Sequence, residues 1–353
     1  MSFATGAQAH APVLAARVID LLLTDRDGVY VDATFGRGGH SKLILERLSA
    51  RGRLIALDRD PQAVEAAASF DDRRFHVEHT PFSRLRSTLA ALSIARVQGV
   101  LLDLGVSSPQ IDDAQRGFSW RHAGPLDMRM DPSHGETAAE WLARASIEEM
   151  TRVIRDYGEE RLAASIAKAV AARRGHGAAP SARPLATTAD LAHLVADVVG
   201  RSRKDASQHP ATRTFQAVRI HVNQEFEELA LALDQAGALL VPGGRLAVLS
   251  FHSLEDRIVK RFIDRHQHPE RQMASDRKLP LRADQLPRAT FKAVARVLPD
   301  AAEVAANPRA RSVVLRVAER TAEPWPEPRS TPPIMMKTRS SRGQTSHGTK
   351  ERR

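Results

Sequence analysis

Apolar residues in the first 110 positions come in short runs separated by longer amphipathic segments. Three of the runs end in an aspartate and a fourth precedes a Thr-Pro pair. We expect these runs to be strands at 29–31, 53–57, 100–102 and 76–79. Short, continuous runs of β-branched and leucine residues are typical of strands that are buried on both faces of a parallel sheet.

Helices are predicted between these strands. Ser41 stands where it would cap a helix with apolar residues at 43, 44, 45 and 48, and Pro61 opens an alanine-rich helix. Proline is well tolerated there because the first helical N–H has no partner within the helix. The order strand, glycine turn, helix, strand, acidic residue, helix predicts the first half of a doubly wound α/β sheet.

The pattern changes between 111 and 205, where no segment has the pattern of a strand. Several helix starts there carry cap signals instead, namely Thr137 with Glu140, Ser146 with Glu149, and Thr187 before an apolar run that stops at Gly200. A Ser or Thr followed three residues later by Glu matches the capping box. The stretch 175–184 is rich in glycine, alanine and proline, so we expect it to link two helices.

Sheet elements return near the end of the chain. The pattern predicts one long amphipathic helix from 210 towards 236, a strand at 246–249, and an antiparallel hairpin made of 291–298 and 312–318. Ser253, with Asp256 three residues later, predicts the cap of a helix between them. The whole pattern predicts a sheet domain made of 1–110 and 206–320, a mainly helical insertion at 111–205, and a tail at 321–353.

Composition excludes several kinds of chemistry. The chain is 42% hydrophobic and 27% charged and has no cysteine. It therefore has no disulfide, thiolate zinc site, cysteine-bound iron–sulfur cluster or cysteine nucleophile. No apolar run approaches the ~18 residues of a membrane span, and the first residues lack the layout of a secretory signal. We expect a cytoplasmic protein without a metal.

The formal net charge of +10 is unevenly distributed along the chain. Residues 320–353 hold eight basic and three acidic side chains, which is half of the excess, whereas 111–205 hold 14 of each. A basic tail with so little to bury is expected to be disordered. Its charge suits a polyanion-binding arm, and a solvated tail without a function is the alternative.

A glycine turn between the first strand and its helix marks a candidate cofactor site. Asp32 precedes the turn at 36–39, and Asp58 ends the second strand 19 residues after Gly39. A carboxylate in the position of Asp58 can accept hydrogen bonds from both hydroxyls of a ribose. A dinucleotide would need a third glycine where Ser41 stands, and Asp32 would repel its pyrophosphate. We therefore favour S-adenosylmethionine, which has no phosphate and carries two cationic groups, with Phe82 placed to stack on its purine.

The segment 103–110 follows the fourth strand and supplies hydrogen-bond acceptors. Asp103 brings a carboxylate and Gln110 a side-chain amide. Without a cysteine, the chain cannot activate a pyrimidine ring carbon through a thiolate. Transfer to nitrogen, oxygen or an activated carbon remains, and acceptors aimed at an exocyclic amine would make its nitrogen a better nucleophile.

Nine motifs in order along 10–320 resemble one bacterial enzyme family, the small-subunit (16S) ribosomal RNA cytosine-N4 methyltransferases. They are Asp32-Ala-Thr-Phe-Gly-Arg-Gly-Gly-His-Ser41, Ala56-Leu-Asp-Arg-Asp-Pro61, Leu101-Leu-Asp-Leu-Gly-Val-Ser-Ser-Pro-Gln110, Gly117-Phe-Ser, Pro125-Leu-Asp-Met-Arg-Met-Asp131, Tyr157-Gly-Glu-Glu160, His209-Pro-Ala-Thr-Arg-Thr-Phe-Gln-Ala-Val-Arg-Ile220, Ser250-Phe-His-Ser-Leu-Glu-Asp-Arg257 and Asn307-Pro-Arg-Ala-Arg311. The tail lies outside the resemblance.

The resemblance implies a class I (Rossmann-like) methyltransferase sheet with an inserted helical domain that recognises the substrate. It implies methyl transfer from S-adenosylmethionine to N4 of a cytidine in the decoding region of small-subunit ribosomal RNA, free or assembled. The residues that it places at the cofactor are Gly38, Gly39, His40, Asp58, Phe82, Asp103 and Gln110, and Asp103 is also the candidate catalytic residue. A homodimer is left open.

Several alternatives remain at this point. The chain could act on another RNA amine, a small molecule or a protein, or could be an inert RNA-binding relative of an enzyme. His209, Arg213, Arg219, Arg309 and Arg311 either contact phosphates or lie on solvated faces. His252 and Ser253 either lie near the target base or belong only to a helix cap.

Overall fold

The computed structural model describes residues 12–174, 184–200, 209–271 and 286–326. Seven strands lie in these ranges: β1 (Val29–Asp32), β2 (Arg53–Asp58), β3 (Phe75–His79), β4 (Val97–Asp103), β5 (Leu240–Ser250), β6 (Phe291–Val297) and β7 (Val314–Arg320). The helices there are α1 (Ala15–Leu22), α2 (Gly39–Arg47), α3 (Pro61–Ala66), α4 (Leu85–Ala91), α5 (Ser108–Asp112), α6 (Ala138–Arg144), α7 (Ile147–Gly158), α8 (Ala163–Ala172), α9 (Thr188–Val199), α10 (Thr212–Val222), α11 (Glu225–Leu239), α12 (Ser253–Gln267) and α13 (Ala301–Ala306).

All seven strands form one sheet in the order β3-β2-β1-β4-β5-β7-β6. The first five strands are parallel, while β7 runs antiparallel to both β5 and β6. This mixed, doubly wound sheet confirms the predicted α/β fold class. The predicted antiparallel pairing of the last two strands is also confirmed, although α13 lies between them.

Alternate side chains of the central strands enter two different cores. In β2, Ile55 and Leu57 face a core completed by α4, α11 and α12, whereas Leu54 faces one completed by α1 and α2. This alternation is the two-residue period of a strand. Because both faces are covered by helices, the strands are apolar throughout, as the sequence pattern predicted.

A second helical layer has a core of its own. Trp141, which is fully buried, lies in a cluster that takes side chains from α6, α7, α8, α9 and α10. Phe215 and Val218 of α10 belong to this cluster, although the predicted insertion ends at 205. Within the described part of 111–205 the only β pairing is an isolated bridge between Pro125 and Thr187. The division into domains stays a prediction.

The predicted helix from 210 to 236 is wrong, since it is two helices. Gln224 has a φ of 50° and separates α10 from α11. The break is fixed by Asn223, whose side chain accepts a hydrogen bond from Met130 N–H and donates to the carbonyls of Met128 and Arg219. These contacts tie the joint to the segment before α6.

Two of the predicted caps are also wrong, and the others hold. Gly38, rather than Ser41, is the N-cap of α2, and His252, rather than Ser253, is the N-cap of α12. Asp60 caps α3 just before the helix-opening Pro61. The predicted caps of α6, α7 and α9 are present as expected.

The first residues of the predicted tail pack on the domain. Trp325 stacks on His266 with ring centroids 4.4 Å apart, and Arg320 lies over its ring. The prediction of a disordered tail from 321 is therefore wrong for 321–326. Residues 327–353, and all of the predicted linker 175–184 except residue 184, lie outside the described residues. Among the helices that the structure describes, none is long and apolar enough to cross a membrane.

Candidate active site

The candidate site is a cleft at the carboxyl edge of the sheet. The loops after β1 to β4 line one side with Thr34, Arg59, Phe82, Leu104 and Gly105, and the other side has Met130, Glu225, Leu229 and Glu255. Open parallel sheets bind ligands at this edge, outside the carboxyl ends of the strands. The cleft therefore lies between the edge of the sheet on one side and the loop before α6, α11 and α12 on the other.

The glycine turn brings the chain closely around the start of α2. Gly38 is the N-cap, with a φ of 73°, and a Cβ there would lie 2.4 Å from the ring of Phe70. Neither the conformation nor the space suits another residue. A Cβ on Gly39 would come within 3.2 Å of Pro12. The turn leaves the first N–H groups of α2 without intrahelical partners.

Asp32 supports this turn from below. Its carboxylate accepts hydrogen bonds from Thr34 N–H and from the hydroxyl of Ser41, and its side chain is buried. Burial raises the pKa of Asp32. The contact also explains the wrong cap prediction, because the Ser41 hydroxyl is used to hold Asp32 instead of the helix terminus.

Asp58 ends β2, and only part of the hydrogen-bonding capacity of its carboxylate is used by the protein. One carboxylate oxygen accepts from Gly36 N–H at 2.7 Å and the other from Asp60 N–H at 2.8 Å. Burial outweighs these bonds and raises the pKa of Asp58 to about 6. Since a carboxylate has about four acceptor positions, two remain for a ligand.

His40 and Asp103 meet where α2 begins and β4 ends. Nε2 of His40 lies 3.5 Å from Oδ2 of Asp103. Both ring nitrogens of His40 and Oδ1 of Asp103 are buried without hydrogen-bond partners among the described residues. Burial acts to lower the pKa of His40, but the carboxylate of Asp103 outweighs it and raises that pKa. Unpaired buried polar atoms are costly, so this pair is suited to receive polar groups of a ligand.

Gln110 is held inside the protein by a network that the sequence did not reveal. Its amide donates to Asp60 at 2.7 Å, while its oxygen accepts from Ser107 N–H. Asp60 also binds Arg116 at 2.9 Å, and this buried guanidinium donates to the carbonyl of Met130. Arg116 was missed because its partner lies 56 residues away, a separation that no periodic pattern indicates.

The opposite wall of the cleft carries two buried carboxylates. Glu225 is bound by both arms of Arg219, at 2.7 and 2.8 Å. Glu255 accepts from Phe251 N–H at 2.8 Å and lies 3.2 Å from Nε2 of His252. Burial acts to raise the pKa of Glu255, but His252, Arg219 and the backbone N–H hold it below its usual value.

The basic candidates have different surroundings. Arg219 is buried in its ion pair, so it lies in the protein rather than on a phosphate-binding face. His209 stacks on Trp120, Arg213 donates to the carbonyl of Glu159, and Arg309 pairs with Asp112. Arg311 is exposed. Contact of these four with RNA stays a prediction.

A family model described as the MraW methylase family matches residues 7–321. The chain belongs to this family. The match covers both the sheet and the second helical layer, so membership in the MraW methylase family applies to the whole described fold. It also confirms the resemblance predicted from the nine motifs.

Named relatives agree with this membership. The chain is 58% identical over 313 residues to Ribosomal RNA small subunit methyltransferase H of Burkholderia pseudomallei strain K96243, covering 89% of this chain and 98% of that protein. It is 57% identical, with the same coverage, to the proteins of that name from Burkholderia mallei strain SAVP1 and Burkholderia thailandensis strain ATCC 700388.

Solved structures give weaker matches. An rRNA methylase from Streptococcus thermophilus is 11% identical with a TM-score of 0.36, covering 87% of this chain and 93% of that one. TrmN from Thermus thermophilus is 12% identical with a TM-score of 0.37, covering 87% and 48%. Scores this low do not establish a shared fold, so the fold assignment of this MraW-family chain rests on its own strand order.

The cleft has features that fit S-adenosylmethionine. Asp58 keeps acceptor positions free at the end of β2, and the carboxylate of Asp103 at the end of β4 can accept from a cationic group. Phe82 lines the cleft after β3, where a purine would lie beside the ribose. Of the residues predicted from the MraW family motifs, Gly38, Gly39 and His40 form the turn. The oxygen and the nitrogen of the Gln110 amide are both already hydrogen-bonded, to Ser107 and Asp60.

Proposed function

We propose that this chain transfers a methyl group from S-adenosylmethionine to the exocyclic N4 amine of a cytidine in small-subunit ribosomal RNA. The observation that carries the proposal is the 58% identity over 98% of a relative named Ribosomal RNA small subunit methyltransferase H. Ribosomal RNA is cytoplasmic in bacteria, so we place the reaction there.

The cofactor half of the proposed site consists of the loops after β1, β2 and β3. S-adenosylmethionine, when bound, supplies an electrophilic methyl group on a sulfonium. Asp58 would accept hydrogen bonds from both ribose hydroxyls, and Phe82 would stack on the purine. The turn at Gly38 and Gly39 lets the backbone approach the ligand closely. His40 and Oδ2 of Asp103 would receive the charged end of the cofactor, and Oδ1 of Asp103 would face the target base.

The acceptor half begins at Asp103. The exocyclic nitrogen of cytosine is a weak nucleophile because its lone pair is conjugated with the ring. A carboxylate that accepts an N–H bond increases electron density on the nitrogen, and the free Oδ1 of Asp103 is available for this. The nitrogen gains a methyl group and loses one proton, which the carboxylate of Asp103 would accept. Alignment of the reacting atoms provides much of the remaining rate enhancement.

The second helical layer is proposed to contact the RNA. The loop that precedes its first helix lines the cleft with Met130, whose backbone is held by Asn223 and Arg116. Residues 111–205 have no net charge, so shape rather than a general positive potential would direct binding. The target base would have to leave its stack to enter the cleft, which costs a few kcal/mol in a duplex.

Nucleoside mass spectrometry of ribosomal RNA tests the proposal in cells. A strain without this protein is expected to lose N4-methylcytidine from its small-subunit RNA, and the wild-type gene should restore it. Asp103→Asn keeps the shape but loses the charge, so it should fold normally while restoring little methylation. Full restoration by Asp103→Asn would contradict the role of the carboxylate, and an unchanged nucleoside profile in the deletion strain would contradict the proposed function.

A further inference from the structure

His252 has a ring nitrogen, Nε2, that has no hydrogen-bond partner in the part of the chain that the structure describes. The residue follows β5 and caps α12, and its Nδ1 accepts a hydrogen bond from Glu255 N–H. A neutral histidine whose Nδ1 accepts carries its proton on Nε2. That nitrogen is buried and makes no hydrogen bond within the described residues, although Oε1 of Glu255 lies 3.2 Å away.

Several contacts fix the orientation of this ring. Glu255 is 2% exposed, lines the cleft and is anchored by the N–H groups of Phe251 and His252. The ring of Phe226 meets the imidazole edge to face, with centroids 5.9 Å apart. The contact with Glu255 is not aligned as a hydrogen bond, so a ligand that supplies a well-aligned acceptor would stabilise this N–H.

The position of His252 relates it to the acceptor half of the site. Asp103 at the end of β4 is in register with Leu249 of β5, three residues before His252. The turn after β4 approaches the same loop, since a Cβ on Gly105 would lie 3.8 Å from the ring of Phe251. Asp103 and His252 therefore follow neighbouring strands at the same edge, one with a free acceptor and the other with a free donor.

We infer that His252 is a specificity-determining residue of the acceptor half, whose Nε2–H donates a hydrogen bond to N3 of the target cytosine while Asp103 accepts from its N4 amine. The inference rests on the proposed function and deepens it. Cytosine presents a donor at N4 beside an acceptor at N3. Uracil reverses both, so its O4 would face the carboxylate and its N3–H would face the imidazole N–H.

Two substitutions separate this role from helix capping. His252→Asn keeps a side-chain acceptor near the position of Nδ1 and so keeps the cap, but it has no donor that reaches as far as Nε2. His252→Gln keeps an N–H near the position of Nε2 but caps poorly. Ser253→Ala is the matched control, because Ser253 adjoins His252 and its hydroxyl donates to the exposed Glu159.

The readouts are thermal unfolding, affinity for S-adenosylhomocysteine, and kcat/KM with small subunits from cells that lack this methyltransferase. His252→Asn should unfold like the wild type, bind S-adenosylhomocysteine equally well and lose at least 100-fold in kcat/KM. His252→Gln should stay within about 10-fold of the wild type even if its melting temperature falls, and Ser253→Ala should be unchanged.

The opposite order, with His252→Asn active and His252→Gln inactive, would show that His252 only caps α12 and would overturn the inference. Equal losses in both variants would also overturn it, because the donor would then make no difference. If the wild-type protein methylates no small-subunit RNA under these conditions, the proposed function itself fails, which is a result distinct from either order of the variants.

Discussion

Three aspartates end strands at the carboxyl edge of the sheet, and their surroundings give them different properties. Asp32 is bonded beneath the glycine turn, Asp58 keeps free acceptor positions, and Asp103 has one unpartnered oxygen. Their places at the strand ends could be predicted from the apolar runs. Their contacts could not, because Ser41, Gly36 and His40 are brought to them only by the fold.

Replacing Asp58 tests its contact with the cofactor. Asp58→Ala would leave two ribose hydroxyls without a charged acceptor, a loss of about 1.5–3 kcal/mol, so affinity should fall ~10- to 100-fold. Isothermal titration calorimetry with S-adenosylhomocysteine gives the measurement. Asp71→Ala is the control, because Asp71 is an exposed aspartate in the segment before β3, and this variant should bind normally. Unchanged affinity in Asp58→Ala would exclude this contact.

The raised pKa of Asp58 predicts how cofactor binding depends on pH. Hydroxyl donors favour the ionised carboxylate, and the free protein protonates Asp58 as the pH falls through about 6. Binding below that value must release a proton, so affinity should fall with decreasing pH, approaching ~10-fold per unit. Titrations between pH 5 and 7.5 should show this slope in the wild type and a flatter curve in Asp58→Asn. An affinity that rises on acidification would contradict the assignment.

Helix boundaries show where sequence patterns stop being sufficient at the level of elements. The sequence predicts a cap at Ser253 with Asp256, whereas the structure uses His252 with Glu255. Asp256 is instead drawn into an ion pair with Arg316 on β7, at 2.6 and 3.0 Å. Similarly, the joint between α10 and α11 depends on contacts with a loop some 90 residues earlier.

A buried ion pair connects α5, the loop before α6 and the start of α3. Arg116 and Asp60 have side chains only 7% and 5% exposed. Arg116→Met would leave Asp60 buried without its cation, so the free energy of unfolding should fall by about 3–5 kcal/mol. Arg129→Met is the matched control, since its pair with Asp127 is about 20% exposed and should contribute about 1 kcal/mol or less. Chemical denaturation measures both, and equal effects would contradict the importance of burial.

At the scale of the whole molecule, the chain contributes to its fold beyond the last strand. Trp325 packs against Phe262, Phe291 and His266, and a Cβ on Gly237 would lie 2.1 Å from its ring. The doubly wound α/β class, the closing antiparallel pair and the helical character of 111–205 could be predicted from apolar periodicity. The return of 321–326 could not, since this segment has a single aromatic among threonine, alanine, glutamate and two prolines.

Two truncations separate packing from RNA binding in the tail. Deleting 327–353 removes seven basic side chains but keeps Arg320 and Trp325, which should stay packed. The melting temperature should therefore be unchanged, while RNA affinity falls mainly at low salt.

Deleting 321–353 also removes Trp325, which should cost about 2 kcal/mol and lower the melting temperature by several degrees. Thermal unfolding and RNA binding across a salt series provide the comparison. A lower single-turnover rate at saturating RNA after deletion of 327–353 would instead assign the tail to the active site.

Methyl transfer to N4 of a cytidine is tested most directly by identifying the product of the reaction. Purified protein is incubated with methyl-labelled S-adenosylmethionine and with small subunits from cells that lack this enzyme, and the RNA is digested for nucleoside mass spectrometry. We expect a single labelled nucleoside, N4-methylcytidine, in the wild-type reaction. The same product should appear much more slowly with Asp103→Asn. A label on C5 of a pyrimidine, on a ribose oxygen or on protein would contradict this expectation.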